Sequence, residues 1–193
     1  MIWNPGAETL PRRELTALQL ERLRTTLQWA SERIVFYREA LAAARVTPES
    51  IRSLDDLQRI PFTVKAHLRE HYPFGLFAVP LAQVSRIHAS SGTRGKPTVV
   101  GYTKGDLQVW REVMARSLAA AGAEPGQLIQ IAYGYGLFTG GLGFHDAAEY
   151  MGLTVVPASS GNTLRQILLL QDFRPQGLAC TPSFALHIGQ SMR

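Results

Sequence analysis

The sequence predicts an α/β fold: a parallel sheet of βα units flanked by helices, preceded by an N-terminal helical segment. Two features predict it. Up to residue 44, apolar side chains recur at spacings of three and four; from residue 84, short β-branched runs alternate with stretches of helical period. Strands separated by helices pair in parallel, because the helix returns the chain to the same end of the sheet. The expected division is therefore residues 1–80, helical, and residues 81–193, α/β.

The elements follow in order. Within 11–44, Leu20, Leu23, Leu27, Ala30, Ile34, Tyr37 and Leu41 fall on one helical stripe. Its flanks carry no charge pattern that would specify pairing, so one helix or two packed on the core is expected, and the same seam leaves room for a homodimer. Thr47-Pro48-Glu49 starts a short helix that ends near Ile60-Pro61, and another is expected around 64–70 before the loop marked by Pro73 and Pro80. Residues 84–89 and 98–102 read as strands around a glycine-rich loop. Thr103 and Asp106 open a helix carrying Leu107, Trp110, Met114 and Leu118, which Gly122 stops. Then come a strand from Leu128 to Tyr133, a helix around 140–151, a strand from Leu153 to Pro157, a helix from Leu164 to Phe173 and a strand from Gly177 to Thr181. Asn162 and Thr163 are the expected caps of the 164–173 helix.

Composition excludes several classes. At 193 residues and 46% hydrophobic, the chain buries a substantial core. No apolar run reaches the roughly 18 residues of a membrane span, and Met1-Ile2-Trp3-Asn4-Pro5 leads into a charged helix rather than a signal pattern. Although the net charge is +5, the arginines are spread over helical faces without interleaved aromatics. A solvated basic surface is expected, not a nucleic-acid site. The single cysteine, Cys180, rules out an internal disulfide and suits a reducing cytoplasm; within Leu178-Ala179-Cys180 it reads as a buried small hydrophobe. His67, His71, His88 and His187 have no metal-ligand spacing, and no G-x-S-x-G elbow is present.

The chemistry concentrates in Ser90-Ser91-Gly92-Thr93-Arg94-Gly95-Lys96-Pro97-Thr98. Glycines let backbone N–H groups converge on an anion, hydroxyls add donors, and the lysine adds charge. The loop is not a Walker A motif: Pro97 follows Lys96, and Thr98-Val99-Val100-Gly101-Tyr102 leaves as a strand instead of a helix. A second constellation places five glycines between Gly134 and Gly143, interleaved with Tyr133, Tyr135, Phe138 and Phe144. This glycine density exceeds what a strand-to-helix turn needs and leaves room for a ligand against backbone, at the end of a parallel strand where α/β sheets bind ligands. His145-Asp146 is not read as a catalytic pair, since neighbours on a helix point about 100° apart; His145 is taken as a structural helix residue.

These segments resemble phenylacetate–CoA ligase, of the adenylate-forming acyl-CoA synthetase superfamily. The likeness rests on the loop with its flanks Arg86-Ile87-His88-Ala89 and Val99-Val100-Gly101-Tyr102-Thr103. It extends to Tyr133–His145, Ser160-Gly161-Asn162-Thr163 and the upstream Tyr72–Pro80 segment. The resemblance implies that 81–193 is an AMP-binding-type subdomain, part of the N-terminal domain of such a ligase. It further implies that Ser90, Ser91, Gly92, Thr93, Gly95 and Lys96 hold the β- and γ-phosphates of ATP with Mg²⁺, and that Tyr133, Phe138 and Gly141 line a pocket for an aryl acid. ATP and the acid would form an acyl-adenylate, from which CoA displaces AMP. The chain departs from the family at Arg94, where relatives carry Thr or Ser, and at Asp146-Ala147, where they carry Tyr-Gly. The adenine, ribose, hinge and catalytic-lysine segments of the family are not found before Arg193, so no catalytic residue is assigned. The expectation is an N-terminal part of such a ligase, inactive alone in the full reaction. The alternative is a non-catalytic paralogue that binds a nucleotide, an aryl acid or a partner protein.

Overall fold

The computed structural model describes residues 1–90 and 95–192. They form two compact units: Pro5–Thr103, and Lys104 onward together with Met1–Asn4.

The first unit begins with helices α1 (Pro5–Glu8), α2 (Arg12–Arg33) and α3 (Val35–Ala43). The stripe allows one helix or two, and the chain forms two: it breaks at Ile34, whose backbone is extended at φ −121° and ψ 112°. Two β-branched residues in succession, Ile34 and Val35, weaken the helix there. The break leaves the last carbonyls of α2 without intrahelical donors. Arg38 supplies them from α3: its Nε donates to the Ser31 carbonyl at 3.0 Å and its Nη2 to the Glu32 carbonyl at 2.8 Å. Bent in this way, α3 packs on α2, and Leu27 and Leu41 close on Val46 and Ile51. Ile51 is fully covered, which contributes about 1.5–3 kcal/mol relative to exposure.

The helix expected from Thr47 to Ile60 is instead two 3₁₀ turns, Pro48–Ser50 and Leu54–Arg59. The chain between them is extended so that Ile51 points inward. Arg24 of α2 fixes that position by donating to the Ile51 carbonyl at 2.7 Å. Asp56 accepts from the backbone N–H groups of Arg52 and Ser53 at 2.8 and 3.1 Å, which hold its carboxyl below the usual range. Helix α4 (Lys65–Glu70) follows, with Phe36 against the His67 and His71 rings at 4.8 and 4.9 Å.

Strands β1 (Arg86–Ala89) and β2 (Val99–Tyr102) pair antiparallel, Arg86 opposite Tyr102 and Ala89 opposite Val99. Gly101 admits the Phe77 ring: a Cβ there would lie 2.5 Å from it.

The second unit carries the parallel sheet. Helix α5 (Lys104–Ala120) ends in a Schellman closure, with Gly122 at φ +95°, its N–H donating to the Ala119 carbonyl and that of Ala123 to the Leu118 carbonyl, both at 3.0 Å. Then follow β3 (Leu128–Ile131), α6 (Gly140–Tyr150), β4 (Thr154–Val156), α7 (Thr163–Phe173), β5 (Gly177–Ala179) and α8 (Pro182–Ser191). The sheet order is β4-β3-β5, all parallel. The chain thus steps outward from β3 to β4 and then passes back to the other side of β3. Right-handed crossovers put α6 and α7 on opposite faces of the sheet. Side-chain alternation along β3 agrees: Ile129 and Ile131 join Ala115, Ala119, Ala147 and Ala148 in one core, whereas Gln130 meets Gln166 of α7. Met1–Asn4 straps this unit, as the Trp3 indole N–H and the Asn4 amide donate to Glu112 at 3.2 and 2.7 Å.

Helices α5 and α6 approach closely because position 143 is glycine; a Cβ there would stand 2.7 Å from the Trp110 ring. Gly143→Ala is expected to destabilise the chain by about 1–3 kcal/mol in urea unfolding. Gly136→Ala, which meets nothing within 4 Å, is expected to stay within about 0.5 kcal/mol of the parent.

Candidate functional site

The glycine loop is held at its mouth by the β-hairpin. The ladder continues one residue past β1, where the Ser90 N–H donates to the Thr98 carbonyl at 2.9 Å. The Thr98 N–H donates in return to the Ser90 hydroxyl at 3.0 Å. An accepting hydroxyl keeps its own O–H, so Ser90 remains a donor toward an anion. Gly95 has φ +101° and open space where a Cβ would be, a conformation that favours glycine. Lys96 is exposed, its ammonium 5.2 Å from the centroid of the Tyr72 ring. Of the six loop residues expected to bind phosphate, Ser90, Gly95 and Lys96 are placed in this way; Ser91, Gly92 and Thr93, with Arg94, lie outside the described residues.

The second unit has a separate feature, a cavity of about 420 Å³ at the carboxyl ends of the three parallel strands. Ala132, Tyr133 and Gly134 enter it from the end of β3, Ser160 and Gly161 from beyond β4, and Thr181, Ser183, Phe184 and His187 from beyond β5 and the start of α8. The position follows from topology: connections leave β3 in opposite directions, and the crevice between them opens where the strand order reverses. Its walls mix aromatic faces with the hydroxyls of Ser160, Thr181 and Ser183. The Thr181 hydroxyl caps α8 by accepting from the Phe184 N–H at 3.3 Å.

Of the three residues expected in the aryl pocket, Tyr133 lines this cavity, its ring stacked on Phe144 at 5.4 Å. Phe138 is 61% exposed. Gly141 is buried in the first turn of α6, where a Cβ would meet the Gly134 carbonyl at 2.7 Å. The structure therefore does not bring the three around one cavity. The residues after β4 and β5 went unrecognised as cavity lining because nothing in their local spacing reveals which strand ends are neighbours.

A hydrogen-bonded chain also runs from the turn after β3 into α6. Tyr135 Oη lies 3.1 Å from His145 Nδ1, and His145 Nε2 lies 3.0 Å from Glu149 Oε1. Burial, reinforced by the Glu149 and Asp146 charges, pushes the Tyr135 phenol up to about 12. The phenol thus stays protonated across the neutral range, and the two ring nitrogens of His145 link it to the Glu149 carboxylate. His145 pairs one helical turn onward and not with its neighbour Asp146; the i, i+4 spacing of His145 and Glu149 was the visible signal. Cys180 is half-buried, and burial raises its thiol. Among the described residues, no three His, Cys, Asp or Glu side chains gather as a metal site, and no helix is long and apolar enough to cross a membrane.

Comparison with solved structures supplies the class. A 2-hydroxyisobutyryl-CoA ligase in complex with 2-HIB-AMP and CoA superposes with a TM-score of 0.90 at 31% identity, over 96% of this chain and 41% of that one. An open conformation of that ligase gives 0.91, over 98% and 45%. The fold is that of the N-terminal region of an acyl-CoA ligase. Sequence relatives narrow the class. Phenylacetate–coenzyme A ligases are 60% identical over 193 residues in Thermus thermophilus, 54% over 179 in Aromatoleum evansii and 53% over 181 in Escherichia coli. The chain is homologous along its length to the N-terminal portion of phenylacetate–coenzyme A ligases. It spans 43%, 41% and 41% of those three relatives. No protein-family model matches it.

The Tyr135 phenol bears on alkaline stability. Its folded value of about 12 lies above the ordinary 10.0, so the folded chain keeps a proton that the unfolded chain has lost. This stabilising contribution is complete below pH 10 and is lost as pH rises through about 12. Urea midpoints measured across that range are expected to fall less steeply in Tyr135→Phe than in the parent; parallel curves would remove Tyr135 as the cause.

Proposed function

We propose that the chain is the N-terminal part of an ATP-dependent aryl-acid CoA ligase of phenylacetate type. The observation that carries this is identity of 49–60% with four phenylacetate–coenzyme A ligases, across 90–100% of the chain. In the proposed reaction the acid carboxylate attacks the α-phosphorus of ATP and pyrophosphate leaves; CoA sulfur then attacks the acyl carbon and AMP leaves. Ser90, Ser91, Gly92, Thr93, Gly95 and Lys96 act on the first step. Their N–H groups, hydroxyls and ammonium offset charge that gathers on the departing pyrophosphate. The hairpin pairing of Ser90 with Thr98 supports this role, since it fixes the loop's mouth before any anion arrives. Mg²⁺ is proposed only as the ion that accompanies the ATP phosphates, because the described residues offer no carboxylate cage for it.

Tyr133, Phe138 and Gly141 are proposed for the aryl side. Tyr133 has direct support as a wall of the strand-end cavity. Gly141 would act through backbone, keeping the Tyr133–Gly134 turn close to α6. The exposed Phe138 would need to swing inward around the ring. A cytoplasmic location belongs to the same proposal, and the solitary Cys180 fits it.

The test is a chimera in which this chain replaces the matching 43% of the Thermus thermophilus ligase. Phenylacetyl-CoA formation is expected, and Lys96→Ala is expected to lower kcat by about 10²–10³-fold. A folded chimera that forms no thioester would sink the reaction. Turnover indifferent to Lys96→Ala would remove the loop's role.

A further inference from the structure

Packing alone does not account for the Gln130–Gln166 pair. Both side chains are fully buried, one at the centre of the sheet and one on α7, where aliphatic residues are the usual occupants. Gln130 Nε2 donates to Gln166 Oε1 at 2.6 Å. Gln166 Nε2 in turn donates to the Ser159 carbonyl at 2.8 Å and the Gly161 carbonyl at 3.3 Å. Turning either amide over would set oxygen against oxygen, so the direction of the chain is fixed. Gln130 Oε1 has no partner among the described residues, so the pair is kept despite an unmet acceptor, a cost that an aliphatic pair would avoid.

The segment these amides reach is an unusual one. Ser159, Gly161 and Asn162 all have left-handed backbones, with φ of 64°, 79° and 46°. Two of them are not glycine, so the conformation needs support from outside the segment. Ser159 N–H donates to the Ile131 carbonyl at 3.0 Å, and Arg165 Nη2 donates to the Ala158 carbonyl at 3.0 Å. Gln166 alone among these reaches the carbonyls on both sides of Ser160. Ser160 and Gly161 form the β4 wall of the cavity, and the Ser160 hydroxyl lies 3.2 Å from the point where a Cβ on Gly134 would stand.

We propose that Gln166, clamped by Gln130, is a positioning residue that sets the Ser160–Gly161 wall and so the fit of an aryl acid in the strand-end cavity. This rests on the aryl-acid assignment of that cavity. Two measurements on the chain separate the assignment from the positioning role. Phenylacetate binding, followed at the Tyr133 and Ser160 amide resonances, tests the assignment. Amide exchange at Ser159 in the ligand-free chain tests the clamp.

Gln166→Met keeps the volume and removes the donors. It is expected to speed Ser159 exchange about tenfold beyond any change at Ile129 and to weaken phenylacetate binding about fivefold. Gln130→Met, which leaves the two loop bonds in place, is expected to shift both readouts in the same direction by less, and it decides the matter if Gln166→Met does not fold. Ser159 exchange that only tracks Ile129, or unchanged phenylacetate affinity, overturns the proposal. If the parent chain shows no phenylacetate shift, the aryl-acid assignment fails, and Ser159 exchange alone then decides whether the clamp sets the wall.

Discussion

The parallel unit depends on β3 being paired on both edges and covered on both faces. A strand in that position has nowhere to place a polar side chain unless another buried group meets it. Ile129 and Ile131 satisfy the face toward α5 and α6 by burial alone. On the other face the Gln130 amide N–H meets Gln166, and so couples the middle of the sheet to the turn beyond β4. Because β4 and β5 flank β3 on opposite sides, the loops leaving the sheet diverge at its carboxyl end. The cavity is a consequence of that divergence; Tyr133, Ser160 and Thr181 come from three segments that never approach each other in sequence.

Glycine governs the close approaches. At 143 it allows Trp110 to sit on α6, at 141 it lets α6 begin against the Gly134 carbonyl, and at 101 it opens β2 to the Phe77 ring. None of these three needs an unusual backbone; each serves because a methyl group would occupy space already taken. Gly95 is a different case, since its surroundings are open and its positive φ is the constraint. In the sequence these glycines look alike. A motif rich in them can therefore be recognised before it is known which ones meet neighbouring side chains and which ones turn the chain.

Much of the local structure was legible beforehand. The strands at 86–89 and 99–102, the four helices α4 to α7 and the cap at Asn162 follow from β-branching, period and capping chemistry. What escaped was decided by packing. The stripe from Leu20 to Leu41 suits one helix or two, and its unbroken spacing does not show where a break would fall; the chain bends at Ile34 so that α3 can pack on α2. The Thr47–Ile60 segment has good helix-start chemistry at both of its turns, and the helix is interrupted because Ile51 is drawn inward between them. His145 carried the spacing to reach Glu149, but its bond to Tyr135 crosses from a turn to a helix and has no periodic signature.

The sequence by itself determined the fold class, the order of strands and helices along the chain and the likeness to phenylacetate–CoA ligases, because each is written in short-range patterns and in motifs of fixed composition. Tertiary structure alone decided that β3 lies between β4 and β5, and hence that residues after all three strands share one cavity. It also decided that Tyr133 enters this cavity while Phe138 stays exposed and Gly141 packs against backbone. The reason is physical: local propensity fixes what a segment becomes, whereas the burial of both faces of a sheet fixes which segments meet.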